Sequence, residues 1–226
     1  MTSNPVKQAL LPLVLLSAAC LLLSGCKIER KSEEDKRKST SVAGSFENRA
    51  FNPRADVDAM WDAKVMPTLE KMATAFPALK QAMTADLDAA GARHGHRAKV
   101  EGAPWNLVTR IRGQVVAAET ELSAGTADID VDGDGKADLQ LQIGPVVKGT
   151  AIRDVLPFIS FSDYTNQIDF AQLANAFNER AAAAALASIE REKLVGRQVE
   201  AIGVFSVEST DEPPLVTLVS FKVEGP

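Results

Sequence analysis

The spacing of apolar residues changes along the chain, and the first change, from a helical period to a strand period, constrains the fold more than any other feature. Between Val57 and Leu87, apolar residues recur every three or four positions, which is the period of an amphipathic helix. Pro67 and Pro77 interrupt the pattern, because proline lacks the amide donor that a helix interior needs. Gly91 is the expected C-terminal stop of the last helix. We therefore expect three helices, at about 56–66, 67–75 and 77–90.

After Ala98 the apolar spacing becomes two, which is the period of a strand. Three strand segments come first, then two helical segments in which Ile168, Leu173, Phe177 and Ile189 mark the apolar side, and then two further strands. The strands are expected at 105–122 (one or two strands, with Gly113 as a bulge or bend), 126–131, 139–147, 198–207 and 214–223, and the helices at 153–161 and 166–192. A five-stranded Greek-key barrel with a helix between its third and fourth strands is the OB-fold. An open α+β sheet is the alternative.

The beginning of the chain predicts its compartment. Lys7 precedes the apolar segment 9–23, and the sequence "LSGC" at 23–26 matches the site at which bacterial lipoproteins are cleaved and lipidated. We expect residues 1–25 to be a signal peptide and Cys26 to carry the lipid that anchors the protein at the periplasmic face of a membrane. The alternative is an uncleaved anchor, although the apolar run is at the short end for a spanning helix.

The remaining chain divides by composition. Residues 26–50 are rich in mixed charge and are expected to form a flexible tether. A helical segment at 51–97 and the barrel domain at 98–226 follow. Cys20 lies in the signal peptide, so the mature protein is expected to contain no disulfide. Lys27 stands where an aspartate would signal inner-membrane retention, which favours the outer membrane in a Gram-negative cell.

Composition also excludes several functions. The formal net charge of −5 argues against a nucleic-acid-binding protein, which would present a basic surface. The only histidines, His94 and His96, lie in the segment "RHGHR", which we expect to be a solvated loop. A GxSxG nucleophile motif and a phosphate-binding loop are both missing from the sequence. These features favour a protein without enzymatic activity.

The segment "DVDGDGKAD" at 130–138 is the candidate metal site. Asp130, Asp132, Asp134 and Asp138 occupy positions 1, 3, 5 and 9 of a calcium loop, and Gly135 supplies the turn at position 6. Position 12 is Leu141, where an EF-hand has a bidentate glutamate. One calcium ion of modest affinity is the hypothesis. The alternative is a hairpin turn, since Asp and Gly are favoured in turns for backbone reasons alone.

A second polar cluster lies between 153 and 167. It predicts either a ligand-binding cleft or a set of structural contacts, in which an Arg–Asp ion pair fixes a helix on the barrel and amide side chains satisfy backbone groups. The candidate ligand-binding residues are Arg153, Asp154, Asp163, Asn166 and Gln167.

Long stretches of the chain resemble a family of bacterial periplasmic lipoproteins of unknown function. The segments 130–178 and 194–205 carry the resemblance, most sharply "IGPVVKGTAIRD" at 143–154 and "NQI" at 166–168. The resemblance implies an OB-fold and a genomic position beside sugar ABC transporters of the ribose/xylose type, but it implies no chemistry. We therefore expect a non-enzymatic accessory or binding module linked to sugar ABC transport. The alternatives are a periplasmic enzyme that uses the 153–167 cluster and a purely structural envelope protein stabilised by calcium.

Overall fold

The computed structural model of the protein describes residues 51–187 and 189–224. The predicted signal peptide (1–25), the lipidation site Cys26 and the predicted tether (26–50) lie outside the described residues. None of the described helices combines the length and the apolar composition that are needed to cross a bilayer.

Helices form the first part of the described chain. They are α1 (Pro53–Met60), a π-helical turn (Trp61–Val65), α2 (Met66–Met72), α3 (Phe76–Ala85) and α4 (Leu87–His94). Asn52 and Asp86 begin α1 and α4, because their side-chain oxygens accept a backbone N–H three residues further on. Pro77 lies in the first turn of α3, where a missing amide costs no intrahelical hydrogen bond. Pro67 lies in a continuous helical backbone, directly after the π-helical turn.

The strands of the described chain form a closed sheet. Two short strands, β1 (Thr74–Ala75) and β2 (Gly95–His96), pair with one edge of the first barrel strand. The barrel strands are β3 (Trp105–Glu119), β4 (Thr126–Asp130), β5 (Leu139–Gln142), β6 (Gln198–Val207) and β7 (Leu215–Val223). Their order is β3-β4-β5-β7-β6, and β6 pairs back onto β3 along ten residue pairs from Trp105–Val207 to Gln114–Gln198. This closed order, in which β5 and β7 are the parallel pair among the five barrel strands, confirms the predicted OB-fold.

Helical segments connect β5 to β6. They are α5 (Ala151–Val155), a 3₁₀ turn (Phe161–Asp163), α6 (Gln167–Ala185) and a second 3₁₀ turn (Arg191–Lys193). The side chain of Asn166 accepts the backbone N–H of Asp169 at 2.9 Å and begins α6. The buried residues of α6, which include Leu173 and Phe177, pack against α1 and the outside of the barrel.

Two hydrophobic cores lie on opposite sides of the barrel wall. Leu107 and Phe205 point into the barrel interior, whereas their neighbours Val108 and Val204 point outwards into a second core beneath the helices. Successive strand residues face opposite sides of a sheet, so both sides of these strands are buried. The double burial explains why the strands contain runs of apolar residues instead of a strict alternation.

Several predicted helix boundaries were wrong. The predicted helix 67–75 ends at Met72, since Ala73 is extended and Thr74 pairs in parallel with Thr109 of β3. The predicted helix 77–90 divides at Asp86. Gly91 does not end α4, which continues to His94; a Cβ at Gly91 would lie 2.2 Å from the Trp105 ring, so the glycine is needed for close packing.

The predictions for the later helices were also corrected. The helix predicted at 153–161 is the short α5, because Leu156 precedes Pro157 and is extended. The helix predicted at 166–192 ends at Ala185, and Ile168, predicted on its apolar side, is 68% exposed. The segment 105–122 contains one strand that ends at Glu119, and its register shifts between Val115 and Ala117 and not at Gly113.

Candidate functional site

The predicted calcium loop connects β4 to β5 and folds around its own carboxylates. Asp130 is buried, and its two oxygens accept the backbone N–H groups of Gly133 at 2.7 Å and Gly135 at 2.8 Å. Both glycines have positive φ angles, 84° and 83°, a conformation that other residues rarely adopt. The two glycines of the loop therefore allow the backbone conformation in which their N–H groups bond to Asp130.

Asp138 closes the other end of the loop. Its Oδ2 accepts the backbone N–H groups of Val131 at 2.7 Å and Asp132 at 3.3 Å, and its Oδ1 accepts a hydrogen bond from the Lys80 ammonium group. Burial of Asp138 favours the neutral carboxyl, but the bonds from Lys80 and from the two backbone amides outweigh it and lower the pKa of Asp138. The hydrogen bond to Asp138 raises the pKa of Lys80.

Three of the four predicted metal ligands lie together. Asp130, Asp132 and Asp138 each offer an oxygen within 4.8 Å of the other two. Asp134 is not part of this group; it accepts the backbone N–H of Lys136 and pairs with the ammonium of the same residue at 3.6 Å. Carboxylate oxygens are the ligands that calcium prefers, but Lys80 already supplies one positive charge to Asp138. Calcium binding stays a prediction.

The Arg153 side chain is 10% exposed, and its contacts are internal. Its Nε and Nη2 both donate to Asp154 Oδ1 at 2.7 Å, and its Nη1 donates to the carbonyl oxygen of Phe170 at 2.9 Å. The guanidinium also stacks over the Phe170 ring at 3.6 Å. These contacts tie α5 to α6 and support the structural interpretation of the ion pair.

The other predicted ligand-binding residues lie at helix starts. Asp163 and Ser160 form a capping box at the first 3₁₀ turn. Asn166 caps α6, and Gln167, the first residue of that helix, is exposed. The structure brings Arg153 and Asp154 into contact but places the remaining three around the start of α6 in capping or exposed positions. Their role in ligand binding stays a prediction.

The two histidines are half-buried, so the prediction of a solvated loop was wrong. His94 Nδ1 lies 3.2 Å from Thr74 Oγ1, and His96 Nδ1 lies 2.8 Å from the carbonyl oxygen of Asp154. Neither contact could be read from the local sequence, since both partners come from distant segments.

An open groove of about 650 Å³ crosses the outside of β3, β6 and β7 beside the start of α3. We call it the barrel groove. Its charged and polar side chains come from positions two apart on paired strands, while Pro77 and Ile202 provide apolar surface. Its polar residues are Arg110, Arg112, Glu200, Ser220 and Lys222.

Three of the five polar side chains in the barrel groove have a close partner, and one of them is Ser220, whose Oγ accepts the backbone N–H of Ile202 at 3.2 Å. Arg110 donates to the carbonyl oxygen of Glu70 at 2.8 Å, whereas Arg112 lies 3.9 Å from Glu200 and 2.9 Å from Glu224. Sequence reasoning missed this groove. The alternation at 110 and 112 and at 200 and 202 shows which residues share a face, but only the strand register places the two pairs side by side.

Comparisons with known proteins address family and fold. The model of a family described as "Predicted periplasmic lipoprotein (DUF2291)" matches residues 16–222. An OB-fold protein from Thermotoga maritima of known crystal structure is similar over 78% of this chain and 100% of its own, with a TM-score of 0.59 and 15% sequence identity. That likeness concerns the fold alone. A search of curated proteins finds no match.

Proposed function

Because the chain belongs to the predicted periplasmic lipoprotein family DUF2291, we propose that it is a lipid-anchored accessory module of sugar ABC transport that binds its ligand without changing it chemically. Cys26 is the lipid-bearing residue in this proposal, and Lys27 directs the protein to the outer membrane of a Gram-negative cell. The resemblance to lipoproteins encoded beside ribose/xylose-type transporters supports the link to sugar uptake.

The barrel groove carries the proposal. Its volume of about 650 Å³ lies within the usual range of small-molecule sites, and it combines convergent polar groups with apolar surface. Sugars require this combination, because their hydroxyl groups need donors and acceptors while their C–H faces pack on apolar side chains. Arg112, Glu200 and Lys222 provide the hydrogen-bonding groups, and Pro77 and Ile202 provide the apolar surface.

The contacts of other reactive groups support a binding role over a catalytic one. Arg153 and Asp154 hold α5 against α6, and His96 bonds to a backbone carbonyl. The 153–167 cluster, which the enzymatic alternative would use, is occupied by ion-pair and capping contacts.

The test is a calorimetric titration of the full lipoprotein, purified in a detergent without a sugar headgroup, with a panel of pentoses and hexoses. At least one sugar should bind, and Glu200→Gln should weaken that binding about tenfold, equivalent to one charged hydrogen bond. Glu208→Gln is the matched control, an exposed glutamate outside the groove. A panel without binding, or equal affinities in the two variants, would overturn the groove as the ligand site.

The link to transport has a separate test. The lipoprotein should co-purify with components of a sugar ABC transporter from native membranes solubilised under mild conditions. Turnover of a sugar by the wild-type protein, lost on Asp163→Asn, would favour the enzymatic alternative.

A further inference from the structure

A second concavity of about 950 Å³ lies on the helical side of the molecule, and its charged residues are all basic. We call it the basic cleft. Its walls come from the π-helical turn and α2, from the end of α4, and from the loop after α5. The residues that give it its character are Lys64, Thr68, Lys71, Thr74, Arg93, His94 and Phe158.

Helix geometry places one wall of the cleft. Lys64, Thr68 and Lys71 are spaced by four and three residues, so they share one face of the helical segment. The segment begins with the π-helical turn Trp61–Val65, in which the N–H of Met66 bonds to the carbonyl oxygen of Trp61. Single π-turns of this kind are frequent at functional sites.

Arg93 and His94 form the opposite wall. His94 is half-buried and its Nδ1 contacts the hydroxyl of Thr74 at 3.2 Å, which orients the ring at the edge of the cleft. Phe158, 40% exposed, and Pro157 complete the lining with apolar surface. The cleft therefore offers ammonium, guanidinium and hydroxyl groups from separate parts of the chain around one opening.

The cleft is positively charged, whereas the chain as a whole has a negative net charge. Asp and Glu outnumber Lys and Arg by 30 to 25, and elsewhere on the helices the cations pair with carboxylates, as Arg54 does with Glu179 and Arg180 with Asp58. Within residues 51–187 and 189–224, Lys64, Lys71 and Arg93 form no ion pair with a carboxylate. Like charges gathered around one opening repel each other, so an anion between them is stabilising.

Lys71, Arg93 and His94 also lie in the last turns of α2 and α4, where cations offset the negative end of the helix dipole. That role acts on helix stability and requires no ligand. It explains neither the position of Lys64 nor the convergence of the two helix ends on one concavity.

We propose that the basic cleft binds a phosphate group, carried either by a soluble molecule or by a lipid headgroup. Guanidinium and ammonium groups are the usual phosphate partners in proteins, and the threonine hydroxyls add neutral donors. Three cations match the charge of a phosphate monoester better than that of a single carboxylate. The apolar side chains at the edge of the cleft suit the organic part of the same ligand.

The test uses the full lipoprotein in a detergent without phosphate or net charge, and it has two arms. In the first arm, inorganic phosphate and glycerol 3-phosphate are titrated by calorimetry. In the second, phosphatidylglycerol is compared with a diacylglycerol, which has neither phosphate nor sugar, each titrated into the detergent micelles that already hold the lipid anchor. Binding in the first arm identifies a soluble phosphate, and binding confined to the second identifies a headgroup.

A double variant, Lys64→Gln with Lys71→Gln, should weaken phosphate binding at least tenfold in the arm that shows it. The matched control is Lys99→Gln with Lys148→Gln, which removes the same charge from exposed positions outside the cleft and should change affinity less than twofold. Since all four lysines are exposed, both proteins should fold. Absence of binding in both arms, or equal weakening in the two double variants, would overturn the proposal.

Discussion

The loop between β4 and β5 carries four carboxylates, and the basic cleft carries two lysines, an arginine and a histidine, yet only the loop supplies its own partners. The oxygens of Asp130 and Asp138 accept four backbone N–H groups, and Lys80 adds a cation. In the cleft, by contrast, the described residues offer Lys64, Lys71 and Arg93 no carboxylate.

The difference lies in sequence separation. Nine consecutive residues can bend so that backbone N–H groups donate hydrogen bonds to the carboxylates of the same segment. Several carboxylates can then lie close together without a bound cation. Cations brought together from separate helices lack such a local arrangement, and in the cleft Lys71, Arg93 and His94 lie only beside the carbonyl ends of α2 and α4. Charge density along the sequence is therefore a weaker indication of a binding site than charge gathered by tertiary structure and left without a partner.

The largest expected effect is the loss of a guanidinium group that is buried and paired, in contrast to the loss of an exposed guanidinium group in the basic cleft. Arg153→Met leaves Asp154 without its partner and should lower the free energy of unfolding by about 3 kcal/mol, or the melting temperature by roughly 6–12 °C. Arg93→Met removes the same group from the cleft and should change stability by less than about 0.5 kcal/mol. Urea unfolding of both variants checks this. Equal losses would show that Arg93 has a structural partner too.

An intermediate effect is expected at Asp138. Its pKa is lowered in the folded protein, so its carboxylate stabilises the fold above the ordinary pKa of about 3.9. This contribution is lost as the pH falls through the lowered folded value. Asp138→Asn should therefore cost about 1.5 kcal/mol at pH 7, and the gap to wild type should close in acid.

Unfolding in urea at pH 7, 5 and 3 measures that gap. Asp134→Asn is the control, since Asp134 is half exposed and should contribute less than about 0.5 kcal/mol. A gap of constant size across this pH range would mean that the charge of Asp138 does not stabilise the loop.

A smaller effect than at Asp138 is expected at Lys80, whose side chain is 50% exposed. Its raised pKa means that its contribution is complete below about 10.4 and is lost as the pH rises through the folded value. Lys80→Met should cost under about 1 kcal/mol at pH 7. Because the substitution frees one oxygen of Asp138, calcium should raise the melting temperature of Lys80→Met more than that of wild type.

Lys136→Met is the control for the calcium measurement, as Lys136 pairs with Asp134 outside the group of three carboxylates. If calcium changes the melting temperature of none of these proteins, the loop is a turn only and the predicted calcium site is wrong.

The sequence predicted the barrel well, because the order of its strand segments around one helical connection between β5 and β6 is that of the OB-fold, although apolar runs replace strict alternation in part of the strands. It failed where distant contacts decide local structure. Thr74 continued a helical pattern but pairs with Thr109, and Ile168 matched the apolar face of a helix that leaves it in solvent. Pro157, by contrast, was a local signal for the end of α5 that the apolar pattern concealed.

The candidate sites could be predicted from the sequence only where their residues are close together along the chain. The acidic loop could be found because all its carboxylates lie within nine residues. Its partner Lys80 could not be found, because it lies 58 residues away from Asp138. The barrel groove depends on strand register, and the basic cleft depends on the tertiary structure that brings α2, the end of α4 and the loop after α5 around one opening. Neither follows from spacing along the chain.

Hydrogen–deuterium exchange of the full lipoprotein, read by mass spectrometry, tests the comparison most directly. The experiment is run in chelator, with and without the phosphate ligand found by titration. Peptides spanning 129–139 should be protected in chelator and unchanged by phosphate, because the carboxylates already hold the amides of Gly133 and Gly135. Peptides spanning 62–75 should gain protection when phosphate binds. The account is contradicted if the loop exchanges freely until calcium is added, or if phosphate leaves 62–75 unchanged.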